Sequence, residues 1–317
     1  MSKLIFTILT TLATSSLFGQ GVSIQEIQTA KDVENLIRSL DENYADFEVF
    51  QIDENGYKNI PDHGSWNTDR NHECQTLSKI LEIEKAFFIS DFDKNGYDDL
   101  LVYGYGRYTK DLLYVMNSKD GLHSINRLYT GDKTSGCIYP KKINDSLISL
   151  TYYSYEPSMF FSEEEWIKKG FIGNVPSERR LLIKNLVFKY GGFIELNQNP
   201  KKHKIESINY KTTYPSSELT LNQNKVFRGS LGIYPKQNID IQLRDSDYNQ
   251  IIGLLNYIDF DSIEQWHDRI TSHMSSAKTE ILFDDNQLKI IFGDINTSNF
   301  GLQRFYALME KISEQKN

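Results

Sequence analysis

The run Asp91-Phe92-Asp93-Lys94-Asn95-Gly96-Tyr97-Asp98-Asp99-Leu100 sets four carboxylates and one amide around a glycine, between the apolar runs Phe87-Phe88-Ile89 and Leu100-Leu101-Val102-Tyr103. Short β-rich runs on either side of such a stretch predict two strands joined by an acidic loop. Two like charges about 4 Å apart repel by roughly 1 kcal/mol in water and about 4 kcal/mol near a protein surface, so drawing Asp91, Asp93 and Asp99 together is costly until something neutralises them. The expected neutraliser is Ca2+, which takes six to eight oxygens at about 2.3 to 2.6 Å and accepts them from alternate residues of a curled loop. The spacing supplies Asp91, Asp93, Asn95, the carbonyl of Tyr97 and Asp99, with Gly96 allowing the sharp curl. Val102 stands where a helix-loop-helix site would place its bidentate glutamate, so the loop closes between strands, with water completing the shell. A polar β-turn without metal is the alternative.

The pattern Asp91-x-Asp93-x-Asn95-Gly96-x-x-Asp99-Leu100, followed by Leu101-Val102, resembles the calcium loop of FG-GAP or VCBS-type repeats, here as one copy over residues 87–104. The resemblance implies metal-ligand roles for Asp91, Asp93, Asn95, Tyr97 and Asp99 between two strands of a propeller blade. Upstream, residues 51–60 repeat the Asp and Asn-Gly-Tyr spacing, but Gln51 and Asn59 replace the first and last aspartates, so weak or absent binding is expected there. Further acidic loops of this kind are lacking, which predicts a partial blade-like sheet and no closed ring. Residues 186–315 resemble an uncharacterised α+β domain family of secreted bacterial proteins. The resemblance rests on Leu186-Val187-Phe188-Lys189-Tyr190-Gly191-Gly192-Phe193-Ile194-Glu195, on Ile205-Glu206-Ser207-Ile208 and on the helices and hairpin that follow. It implies a fold and secretion, and no activity; the cysteine that members carry near the first hairpin is absent from Thr213-Tyr214-Pro215-Ser216.

Residues 1–19 read as a secretory signal peptide: Met1-Ser2-Lys3 opens it, residues 4–18 are uncharged, and cleavage is expected after Gly19. The apolar stretch is short for a membrane span, and no later segment is apolar for the roughly 20 residues a span needs. The chain is therefore expected to be secreted, in the periplasm, outside the cell or at its surface. A net charge of −8 with no strongly basic segment argues against nucleic acid as a partner. In an oxidising compartment Cys74 and Cys137 can pair as a disulfide or remain two buried thiols.

The expected fold class is α+β. A mainly antiparallel β domain occupies residues 20–197 and an α+β domain residues 205–317, with the boundary at Pro200 and the lysines of 197–204. Thr29 and Asp32 mark a helix start, followed by Val33, Leu36, Ile37 and Leu40 on one face. A polar loop is expected over 61–73, a short helix over 77–83, and strands over 86–90, 100–104, 112–116, 122–128, 147–153 and 186–196. A capping box at Ser162 and Glu165 predicts another short helix. The second domain is expected to carry strands over 205–212 and 218–221, a helix capped by Asp245 or Ser246, a hairpin around residues 284–287, and a last helix with Phe305, Leu308, Met309 and Ile312 facing the core.

No nucleophile elbow, phosphate loop or His-Glu-x-x-His zinc helix occurs. Asp62, His63, Asp69, His72, Glu73 and Cys74 are too irregularly spaced for a zinc site, and Asp259 with Asp261 would suit glycoside chemistry only inside a cleft. The leading expectation is a secreted, non-catalytic protein rigidified by Ca2+, with a protein or glycan partner. A secreted hydrolase with a structural calcium site and an inhibitor-like binding protein are the alternatives.

Overall fold

The computed structural model describes residues 23–58, 68–106, 110–122, 125–128, 138–157, 177–213, 216–232, 237–263, 266–267, 276–294 and 299–314. These form a mixed α+β fold dominated by antiparallel sheets, with four α-helices: α1 (Ala30–Leu40), α2 (Thr68–Ile80), α3 (Asp245–Tyr257) and α4 (Phe300–Glu314). No described helix is long and apolar enough to cross a membrane. The leader, the Ser162–Glu165 box and Cys137 lie outside the described residues.

Helix α1 starts as its sequence requires. Thr29 Oγ1 accepts the Asp32 N–H at 3.2 Å while Asp32 accepts the Thr29 N–H at 2.9 Å, and Val33, Leu36 and Ile37 are buried. Beside it lies a five-stranded sheet whose central strand, Asp99–Tyr105, pairs with Glu48–Val49 and Phe87–Ser90 along one edge and with Lys110–Val115 along the other. Asn126–Arg127 extends this sheet beyond Lys110–Val115. Leu100, Leu101, Val102 and Tyr103 are at most 1% exposed, so the strand is covered on both faces and reads as an unbroken apolar run. The aromatic rings of Phe50, Tyr57, Tyr103 and Tyr139 pack together, with centroids 4.5 to 5.7 Å apart. Their hydroxyls are satisfied: Tyr57 Oη donates to the Ile138 carbonyl at 3.1 Å and Tyr139 Oη to that of Cys74 at 3.3 Å, while Tyr103 Oη accepts the Ile138 N–H at 3.3 Å.

A four-stranded meander follows: Ile138–Asn144, Leu147–Pro157, Ser177–Lys189 and Gly192–Glu195. A seven-stranded sheet then runs in the order Gln237–Gln242, Val226–Leu231, Ser216–Asn222, Ile205–Thr213, Ser276–Phe283, Leu288–Asp294, Trp266–His267. Only its last pair is parallel. Two hydrophobic cores result, and the strand Gly192–Glu195 serves both: Phe193 lies in the first and Ile194 in the second. This is the alternation any strand imposes on successive side chains. The Glu195 carboxylate accepts the N–H groups of Phe300 and Gly301, both at 3.0 Å, which pins the first turn of α4 to that strand. Phe300 itself joins the first core, edge-on to Tyr152. Residues 197–204 carry no helix or strand.

Three expectations need correction. The loop expected up to Glu73 is helix from Thr68, because α2 is held by its later turns rather than by an apolar stripe at its start: Cys74 and Ser78 are fully buried, and Ser78 Oγ accepts the Tyr57 N–H at 2.8 Å. The helix also stops at Ile80, before Ile83. Glu82 takes the left-handed conformation at φ 52°, and the Ile83 N–H returns to the Ser78 carbonyl at 3.0 Å, which closes the C-terminus. Asp245 and Ser246 already lie inside α3. Arg244 holds the N-cap position without a side-chain cap bond and pairs with Asp247 at 2.8 Å.

Candidate metal centre

Ser90 pairs with Asp99 across the strands Phe87–Ser90 and Asp99–Tyr105, leaving residues 91–98 as the loop between them. Lys94 at φ 63° and Gly96 at φ 90° turn the chain, and a Cβ on Gly96 would touch nothing within 4 Å. That glycine is therefore required by its backbone angle and not by space. Phe92 is 1% exposed and packs edge-on to Phe193 at 5.2 Å, anchoring the loop on the strand shared by both cores.

The Asp91 carboxylate sits inside the curl, its Oδ1 accepting the Asn95 N–H at 2.9 Å and its Oδ2 the Gly96 N–H at 2.8 Å. Asp93 Oδ1 accepts the Asn95 N–H at 3.1 Å. Asp99 is fully buried: its Oδ2 accepts the Phe92 N–H and its Oδ1 the Asn117 N–H, both at 2.8 Å. One carboxylate oxygen from each of Asp91, Asp93 and Asp99 lies within 4.8 Å of the other two. Oxygens on opposite sides of a calcium ion stand about 4.6 to 5.2 Å apart, so this trio fits around one such centre.

Burial pushes the Asp99 carboxyl up to about 6, with the Asp93 charge adding to the rise and the Asn117 and Phe92 amides opposing it. Burial also raises Asp93, and the charge of Asp91 acts in the same direction. Carboxylates held together in this way are under electrostatic stress at neutral pH, and a divalent cation relieves it.

Of the five residues singled out by spacing, Asn95 and Tyr97 are engaged in shaping the loop. Asn95 Oδ1 accepts the Tyr97 N–H at 2.8 Å, while its Nδ2 donates to Asp93 Oδ2 at 3.1 Å and to the Asn117 carbonyl at 2.7 Å. Asn117 escaped the sequence reading. It comes from the neighbouring hairpin of Asn117–Ser118 with Gly121–Leu122, and its N–H and carbonyl tie that hairpin to Asp99 and Asn95. The Asp120-Gly121 turn signals the hairpin, but no local pattern places residue 117 against a loop 18 positions earlier in the chain.

The upstream copy folds differently. Gln51–Asp53 and Gly56–Lys58 form a hairpin in which Asp53 pairs with Gly56, so only Glu54 and Asn55 turn the chain. Asp53 Oδ1 accepts the Asn55 N–H at 2.7 Å, matching the contact between Asp93 and Asn95. Among the other candidates, Cys74 is disulfide-bonded, and Asp62 and His63 lie outside the described residues. Asp259 is bound to Lys201 at 3.1 Å; burial pushes its carboxyl up, but the hydrogen bonds from Lys201, Ser262 and His203 together with the Lys201 charge hold it below the usual range. A cleft of about 400 Å³ opens beside the acidic loop, lined among others by Asp93, Lys94, Phe188, Lys189, Asn197 and Tyr257. No protein-family model, curated protein or solved structure matches the chain.

Proposed function

We propose that this is a secreted, non-catalytic protein in which Asp91, Asp93 and Asp99 bind Ca2+ and so rigidify the β-rich amino-terminal domain, the α+β carboxy-terminal domain serving as an interaction module. The observation that carries the reading is the approach of the three carboxylate oxygens to within 4.8 Å, around a fully buried Asp99. The resemblance of residues 87–104 to FG-GAP or VCBS-type loops supports the same ligand set and a single blade-like sheet. The leader-like residues 1–19 and the disulfide at Cys74 agree with an exported chain. The cleft beside Asp93, which runs from the acidic loop to residues 197–200 and Tyr257, supports a role in binding a protein or glycan partner.

Calorimetric titration of the chelator-treated protein with CaCl2 tests the reading. Saturable heat with a dissociation constant of about 10⁻⁴ to 10⁻³ M, the range of extracellular modules, is expected. Absence of heat at millimolar Ca2+, or heat equally large in Asp91→Asn, removes it.

A further inference from the structure

We infer that Arg304 is the anchor of an oxyanion-binding site at the junction between the two cores, a site that takes a small carboxylate or phosphate group. Arg304 lies on α4, partly buried, and the one hydrogen bond its guanidinium makes among the described residues runs from Nε to the Tyr190 carbonyl at 2.7 Å. Its two Nη groups have no hydrogen-bond acceptor there, and no carboxylate is close enough to pair with them. A guanidinium presents five N–H donors in a planar fork and keeps its charge, so this position holds four donors in reserve. Burial lowers the Arg304 pKa, opposed by the charge of Tyr114 on the strand Lys110–Val115 of the other core.

The backbone around the fork is shaped to receive it. Tyr190 at φ 54° and Gly191 at φ 77° form the left-handed turn between Ser177–Lys189 and Gly192–Glu195. A Cβ on Gly191 would lie 2.4 Å from Arg304 Nη2, and one on Gly192 would lie 2.9 Å from Arg304 Cδ, so both glycines make room for this side chain. Gln250 from α3 meets the same carbonyl, donating from Nε2 to Tyr190 O at 3.0 Å. Arg304 and Gln250 thus converge from two helices on the Tyr190 carbonyl, at a place with positive charge and no counter-ion among the described residues. A planar carboxylate matches the two Nη groups side by side, and a phosphate matches them with two of its oxygens.

The test is titration calorimetry on the full chain in chelator, at fixed ionic strength, with sodium acetate in one arm and sodium phosphate in the other. Omitting Ca2+ keeps the outcome independent of the acidic loop. Saturable heat is expected in at least one arm, with affinity falling at least about tenfold in Arg304→Met. Saturable heat in neither arm overturns the inference, as does heat undiminished in Arg304→Met.

Discussion

Removing a single charge from the acidic loop should change stability in opposite directions with and without calcium. Asp93 is the exposed member of the trio; its amide counterpart keeps the oxygen that accepts the Asn95 N–H and gives up only the exposed contact of Oδ2 with Asn95 Nδ2, which water replaces. At the 4.8 Å separation, two like charges repel by about 1 kcal/mol in water, and salt at physiological strength roughly halves that. With two carboxylate neighbours, Asp93→Asn should stabilise the chelated protein by about 1 kcal/mol, a rise in Tm of about 2 to 4 °C for a domain of this size. In 10 mM CaCl2 the wild type should gain about 1.4 to 2.7 kcal/mol if its dissociation constant lies between about 10⁻⁴ and 10⁻³ M. The variant should lose about 1.4 kcal/mol of that gain for each tenfold loss of affinity. Scanning calorimetry of both proteins in EDTA and in CaCl2, with MgCl2 as control, reads all four states. The variant should melt higher in EDTA and lower in calcium. A variant that melts lower in EDTA with an unchanged calcium response would refute the reasoning, for the carboxylate would then be a loop strut without a metal role.

Two further outcomes follow from the same geometry. With its carboxyl raised to about 6 in the fold against about 3.9 unfolded, Asp99 makes the folded state the stronger proton binder; its stabilising share is complete below about pH 4 and is lost as pH rises to about 6. Urea unfolding of the metal-free protein should therefore show a loss on the order of 2 kcal/mol across that window, allowing for solvent screening, and Asp99→Asn should abolish this contribution. Glu195→Ala removes the acceptor shared by the Phe300 and Gly301 amides and should cost about 1 to 2 kcal/mol by denaturant midpoint, whereas an unchanged midpoint would mean water replaces the carboxylate.

The sequence discloses those elements whose cause is local. Thr29 with Asp32 announces α1, the Asp-rich loop announces its two strands, and the stripe of Phe305, Leu308, Met309 and Ile312 falls where its pattern puts it, whereas the strand expected over 186–196 breaks at the Tyr190-Gly191 turn. It conceals what distant contacts create. The first turns of α2 carry no apolar period, and the helix is set by Ser78 against Tyr57, 21 positions away. Its terminus falls on a left-handed glutamate where a pattern looks for glycine. The strand Gln237–Gln242 is an edge with only Ile239 buried, too weak an alternation to announce itself.

The acidic loop divides along the same line. The spacing predicts that Asp91, Asp93 and Asp99 face one point, and one carboxylate oxygen of each lies within 4.8 Å of the other two, as alternate positions of a curled loop allow. It treated them as equivalent, and they are not. Asp91 is bound by the amides of its own loop, Asp93 faces solvent, and Asp99 is sealed between its own loop and a hairpin 18 residues further on. Charge neutralisation at Asp99 therefore bears on two loops at once: the amides of Phe92 and Asn117 are both spent on it, and Phe92 in turn packs on Phe193 of the strand that both cores share. An ion held by this trio would act on the junction through that buried chain of contacts, without touching the second core itself.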